Sequence, residues 1–68
     1  MDEKQPLTTR EREILQLISN GHTDKSIATE LSLSDKTVNT YRKQMLKKLH
    51  VKNTAMLVRY ALENNLVV

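Results

Sequence analysis

Apolar residues recur at intervals of three and four along most of this chain, a pattern that predicts helices. The first apolar run comprises Ile14, Leu15, Leu17 and Ile18. Thr8 and Glu11 form a capping box before this run, because each side chain can bond to the backbone of the other residue. Gly21 can end the helix as a left-handed residue. A first helix is therefore predicted over about residues 9–20.

Three more helices follow from the same kind of evidence. Thr23, Ser34 and Asn53 are residue types that cap helix starts well, and each precedes an apolar pattern. The predicted helices cover about residues 24–31, 35–49 and 54–64. The connection between the second and third helices is about three residues long, which is typical of a helix-turn-helix. The predicted fold class is all-α, a compact four-helix domain with a central helix-turn-helix.

The ends of the chain are expected to differ in character. Residues 1–6 are polar and are predicted to form a flexible leader before a domain over residues 7–68. At the other end, the fourth helix is expected to close the core. Its predicted inner face comprises Leu57, Val58, Ala61 and Leu62. Leu66 and Val68 are expected to fold back onto the core.

The helix predicted over residues 35–49 has two opposite faces. A helix turns by about 100° per residue, and this places one apolar set on a single side: Val38, Tyr41, Met45 and Leu49. The opposite side carries Lys36, Thr40, Lys43 and Lys47, with Asn39 and Gln44 beside them. One face is therefore suited to a core and the other to a polar, negatively charged partner.

Charge is concentrated in the same region. The chain has 68 residues and a net charge of +3, yet residues 36–52 contain six basic side chains and no acidic one. Residues 1–35 carry a net charge of −3, and residues 53–68 a net charge of zero. A basic face on one helix is typical of proteins that bind nucleic acid. The charge pattern alone is equally consistent with a basic face that is simply exposed to solvent.

The sequence offers no site for catalysis, a metal or a cofactor. It has no cysteine, and His22 and His50 stand apart with no cluster of ligands around them. Asp24 near His22 lacks a nucleophile and is better placed as an acid at a helix start. An enzyme, a small-molecule ligand and a metal are therefore not expected. No apolar run approaches the roughly 18 residues of a membrane span, and we expect a cytoplasmic protein with no membrane partner.

Five segments, in order and spacing, resemble the LuxR/NarL/GerE-type helix-turn-helix domain found at the C-terminus of bacterial response regulators. They are L-T-T-R-E-R-E-I-L-Q-L-I (7–18), K-S-I-A-T-E-L (25–31), S-D-K-T-V-N-T-Y (34–41), M-L-K-K-L-H-V-K-N (45–53) and A-M-L-V-R-Y-A-L (55–62). The resemblance covers roughly nine-tenths of the chain. It implies sequence-specific binding of double-stranded DNA by a transcriptional regulator, the effector domain of a two-component system. His50 stands where the family often has Gly, so we expect His50 to be left-handed.

The resemblance also implies which residues meet DNA. Base contacts in the major groove fall on Asn39, Thr40 and Lys43. Phosphate contacts fall on Thr23, Lys25, Lys36, Thr37, Tyr41, Arg42 and Lys47. Arg42 lies near the seam between the two faces of its helix, where packing of its stem is an equal alternative. If about five cations per protomer meet phosphates, log K falls with log salt by about 4 to 5.

The fourth helix is predicted to support a homodimer on DNA that is weak in isolation. The predicted contact stripe comprises Met56, Arg59, Tyr60 and Glu63. RNA polymerase is a further expected partner. Two alternatives remain open from the sequence: a sigma-factor region-four-like domain, which contacts promoters only within polymerase, and a helical adaptor that binds protein and not DNA.

Overall fold

The computed structural model describes residues 7–68, and its regular structure in this range consists of four α-helices. They are α1 (Thr9–Ser19), α2 (Asp24–Leu31), α3 (Asp35–Lys48) and α4 (Thr54–Glu63). The predicted all-α fold class is confirmed, and three of the four predicted helices run one residue too far at their C-terminal ends. The predicted leader over residues 1–6 lies outside the described residues.

A side-chain cap fixes the start of each helix. The caps are Thr8, Thr23, Ser34 and Asn53, and each accepts the backbone N–H of the residue three positions later. At α1 the box is complete, because Oε1 of Glu11 also accepts the backbone N–H of Thr8 at 2.9 Å. All four predicted caps are confirmed, so the starts of the helices are determined locally by the sequence.

A left-handed residue follows each helix. These residues are Gly21 (φ 95°), Ser32 (φ 59°), His50 (φ 57°) and Asn65 (φ 57°). The next N–H along the chain closes each end, as where Leu33 donates to the carbonyl of Ala28 at 2.8 Å. The left-handed conformations predicted for Gly21 and His50 are confirmed. The turn at Ser32 lets α3 begin within a few residues of the end of α2.

The core is aliphatic and lies between α1, α3 and α4, with α2 packed against α1 and α3. Its fully buried large side chains include Ile14, Leu15, Ile27, Val38, Met45 and Leu57. The predicted core face of α3 is confirmed: Val38 and Met45 are fully buried, Leu49 is buried, and Tyr41 packs against the core while partly exposed. The opposite face of α3 is thereby directed outward.

Two expectations about the C-terminal part are wrong. Leu62 is 55% exposed. Leu57 is at the centre of the buried face of α4, and Leu62 lies about 140° around the helix from it. Val68 is fully exposed, and its neighbour Val67 enters the core instead. The backbone N–H and carbonyl of Val68 are both held by the side-chain amide of Gln16, at 3.0 and 3.1 Å. This pairing fixes the last residue on α1 with its side chain outward.

Candidate nucleic-acid interface

The outward side of α3 is polar and basic. Its exposed side chains are Lys36, Thr37, Thr40, Lys43, Gln44 and Lys47. The helix is anchored from behind by Val38 and Met45, so this surface has a fixed orientation relative to the core. A rigid helix with an exposed basic face has the dimensions to enter the major groove of B-DNA.

The three predicted base-contacting residues lie on one stripe of this surface. Asn39, Thr40 and Lys43 fall within about 100° of one another around the helix axis. Thr40 and Lys43 are exposed, whereas Asn39 is half-buried at the edge. The Thr40 hydroxyl donates to the carbonyl of Lys36 at 3.0 Å, which leaves the methyl group for an apolar contact.

Five of the seven predicted phosphate-contacting residues are exposed. Lys25, Lys36 and Lys47 are exposed, at the start of α2 and towards the two ends of α3. Thr23 and Thr37 are exposed as well, and each hydroxyl is already ordered within a cap: Thr23 accepts from Ser26 N–H, and Ser34 donates to Thr37 at 2.8 Å. The start of α2 lies beside the middle of α3, because Asp24 bonds to Arg42.

Tyr41 and Arg42 differ from the other predicted phosphate-contacting residues, because both are half-buried. Tyr41 packs against the core and lines a shallow surface depression together with Thr37, Thr40 and Gln44. Arg42 donates from Nη1 to Oδ1 of Asp24 at 2.6 Å. Its guanidinium is therefore engaged across the helix-turn-helix.

Two ion pairs border the buried face of α3, and neither was predicted from the sequence. Arg42 pairs with Asp24 on α2 along one seam. Lys48 pairs with Glu11 on α1 along the other seam, with Nζ 2.8 Å from Oε1 and 3.0 Å from Oε2. Two of the six basic side chains in residues 36–52 are thus held by carboxylates of neighbouring helices.

Glu11 is the buried charge of this arrangement, with only 2% of its surface exposed. Burial alone would raise the pKa of its carboxyl. The hydrogen bonds and charge of Lys48, together with the hydrogen bonds of Thr8, outweigh burial and leave the pKa of Glu11 below its ordinary value. Glu11 therefore stays ionised and continues to bind Lys48 at neutral pH.

The predicted dimer stripe lies on the exposed side of α4. Met56, Arg59, Tyr60 and Glu63 line one shallow depression together with Val51, which was not predicted. Met56 is 45% exposed, Tyr60 rests partly on the core, and Arg59 donates to Glu63 at 3.2 Å. The connection between α3 and α4 thus contributes an apolar residue to this surface.

Within residues 7–68, side chains do not gather into a metal-ligating group of three or more. The helices in the same range are also too short or too polar to cross a membrane.

The amino-acid sequence of this chain matches a known protein family. Residues 5–61 match the model of the luxR family of bacterial regulatory proteins, GerE. The chain is 48% identical over 62 residues to the transcriptional regulatory protein MctR of Rhizobium johnstonii, and 54% identical over 56 residues to the uncharacterized response regulatory protein YgeK of Escherichia coli. These alignments include 91% and 82% of this chain, but only 29% and 38% of the relatives.

The fold has a close counterpart among solved structures. The structure of the transcription factor GerE superposes with a TM-score of 0.89 at 31% identity, and covers 94% of this chain and 96% of that one. These matches confirm the predicted role of a DNA-binding, transcription-regulating domain and not an enzyme. The chain belongs to the luxR family of bacterial regulatory proteins.

Proposed function

We propose that this chain binds specific sequences of double-stranded DNA by inserting α3 into the major groove, as the effector domain of a response regulator. The observation that carries the proposal is the division of α3. Val38 and Met45 are fully buried on one side, while the exposed opposite side carries three lysines: Lys36, Lys43 and Lys47.

Phosphate contacts are proposed to supply most of the affinity, without regard to sequence. Four exposed lysines surround the proposed interface: Lys25, Lys36, Lys43 and Lys47. Thr23, Thr37 and the Tyr41 hydroxyl add neutral donors to phosphate. Counting Lys43 in the groove together with the three lysines at phosphates, log K is expected to fall with log salt by about 3.6 per protomer. This slope is smaller than the value of about 4 to 5 expected from the sequence, because Asp24 engages Arg42.

Specificity is proposed to reside in the stripe formed by Asn39, Thr40 and Lys43. Asn39 can pair with adenine through N6 and N7, and Lys43 can donate to O6 and N7 of guanine. The Thr40 methyl suits the methyl group of thymine, since its hydroxyl is bonded to the helix backbone. Each good contact is expected to contribute roughly 1–3 kcal/mol of discrimination between bases.

A homodimer on DNA is proposed to form through α4. Met56, Tyr60 and Val51 offer apolar surface, with the Arg59–Glu63 pair at its edge. Two short helices bury less area than stable interfaces do, so the dimer is expected to form on DNA and to dissociate without it. Two protomers would read half-sites about one helical turn apart.

The proposed place of action is the bacterial cytoplasm, at the nucleoid. RNA polymerase is proposed as a second partner on the basis of the resemblance alone. The chain spans less than two-fifths of the length of MctR and YgeK.

The proposal is tested by selecting binding sites from random duplexes and titrating the selected duplex against a scrambled one at several salt concentrations. We expect a recovered motif with two half-sites and a salt slope of about −3.6 per bound protomer. Binding to neither duplex at low salt would favour the protein-binding adaptor. Specific binding only in the presence of polymerase would favour the sigma-factor-like alternative.

A further inference from the structure

Asp24 and Arg42 join the two helices of the helix-turn-helix beside the proposed DNA-binding face. Asp24 is the first residue of α2, between Thr23 and Lys25, and Arg42 lies in the middle of α3. Their side chains are 2.6 Å apart between Nη1 and Oδ1, and each is about a quarter exposed. The pair is therefore accessible from the surface where phosphates are proposed to lie.

The position of Arg42 around α3 indicates how the ion pair affects the charge that Arg42 could offer to DNA. Arg42 lies about 100° from Lys43 and about 60° from Asn39, at the edge of the basic face. The guanidinium is held across the seam by Asp24 on α2. A guanidinium has five N–H donors and is always charged, so an uncompensated Arg42 would be a strong phosphate ligand.

We infer that Asp24 is a positioning residue that withholds Arg42 from the DNA backbone, and that this pair limits each protomer to four cations at the DNA surface, of which Lys43 is directed to a base. The inference rests on the proposed DNA binding. It assigns to Asp24 a role beyond its favourable position at the start of a helix, because the carboxylate sets the sequence-independent part of the affinity. Such a limit keeps a regulator from being retained on unrelated DNA, where phosphate contacts supply the binding.

The experiment measures the salt slope of binding to a duplex of scrambled sequence, for the chain and for Asp24→Asn. Loss of the carboxylate frees Arg42, so the slope is expected to become steeper by about 0.9 per protomer, and affinity at 0.1 M salt to rise by roughly five- to tenfold. Glu13→Gln is the matched control. It removes the same charge from another carboxylate paired with an arginine, Arg10 on α1, and should leave the slope unchanged.

A double variant separates release of Arg42 from simple removal of a negative charge near DNA. Asp24→Asn is therefore also measured in an Arg42→Gln background, where it is expected to leave the slope of Arg42→Gln unchanged, because no guanidinium remains to be released. A double variant with a steeper slope than Arg42→Gln alone would overturn the inference, as would Asp24→Asn with an unchanged slope in the unmodified chain. Circular dichroism checks folding, and Asp24→Ser, which keeps a short polar residue at the helix start, is measured in parallel with the same expectation.

The proposed function and this inference fail in different ways. An unmodified chain whose binding does not depend on salt would refute DNA binding and with it the inference. An unmodified chain with a slope near −3.6 and variants that all match it would refute only the role of Asp24.

Discussion

The ammonium of Lys48 binds both carboxylate oxygens of Glu11, with Nζ 2.8 Å from Oε1 and 3.0 Å from Oε2. Glu11 is 2% exposed and also accepts the backbone N–H of Thr8, so one side chain completes the cap of α1 and holds the last turn of α3. The orientation of α3, the proposed recognition helix, therefore depends on the charge of Lys48, the last residue of that helix.

Replacement of Lys48 by Met is expected to lower the free energy of unfolding by about 2 kcal/mol. Loss of one partner from a fully buried ion pair costs more, roughly 3–5 kcal/mol, but Lys48 keeps 37% of its side chain exposed, and water can reach the vacated site. Urea unfolding followed by circular dichroism measures the change. Lys47→Met removes the same charge one residue earlier, and should change stability by about 0.5 kcal/mol or less. Equal losses would contradict a specific role for Lys48.

The stability difference between the chain and Lys48→Met should shrink in acid. The pKa of Glu11 is lowered in the folded state, so the unfolded state binds more protons and folding is favoured as pH rises. This contribution is complete above the ordinary value of 4.5 and is lost as pH falls through the lower folded pKa. Unfolding free energies of both proteins from about pH 7 to pH 3 test this. A difference that stays constant over that range would rule out ionisation of Glu11 as its source.

Local features of this fold could be predicted from the sequence, and contacts between distant residues could not. Caps such as Thr8 and Ser34 bond to residues three positions away, so short motifs identify them. The Glu11–Lys48 pair spans 37 residues, and no periodicity signals which lysine of the basic segment will turn inward. The error at Leu62 has another cause: Leu62 lies about 140° around α4 from Leu57, so helical geometry already places it outside the buried face.

The candidate site shows the same division. The outward stripe of α3 follows from helical geometry, once Val38 and Met45 are assigned to the core. Engagement of Arg42 by Asp24 depends on how α2 crosses α3, a tertiary relationship that the connecting turn only constrains in part. The sequence therefore identified the basic face, whereas the number of cations available on it required the structure.

Replacement of His50 by Gly is expected to stabilise the chain by about 1 kcal/mol. His50 has a φ of 57°, a conformation that costs a residue with a Cβ atom about this much and costs Gly little. Asn65→Gly, at the same φ after α4, should gain less, since the short polar side chain of Asn visits the left-handed region more readily than the imidazole of His. Thermal unfolding compares the two variants. No gain at His50, or a larger gain at Asn65, would contradict the account.

The proposed dimer contact predicts different effects on DNA binding for substitutions at two exposed apolar residues of α4. Met56 borders the depression lined by Val51 and Tyr60, whereas Leu62 lies outside it. Met56→Asp should weaken binding to a duplex with two half-sites by roughly tenfold, and leave binding to a single half-site unchanged. Leu62→Asp should affect neither duplex. Mobility-shift titrations give both affinities, and equal effects of the two variants would place the dimer contact elsewhere.

Two lysines on the same face of α3 are expected to have separable roles in DNA binding. Lys43 and Lys47 are both exposed and one helical turn apart, so Ala at either position removes the same charge. Both variants should therefore lose affinity for every duplex. Lys43→Ala should in addition lower the preference for the selected duplex over a scrambled one by roughly 1–3 kcal/mol, because Lys43 is proposed to donate to guanine. Lys47→Ala should keep that preference, since a phosphate contact carries no sequence information. Titration of both variants against both duplexes measures the two ratios, and equal ratios would refute the division of α3 into base-reading and phosphate-binding positions.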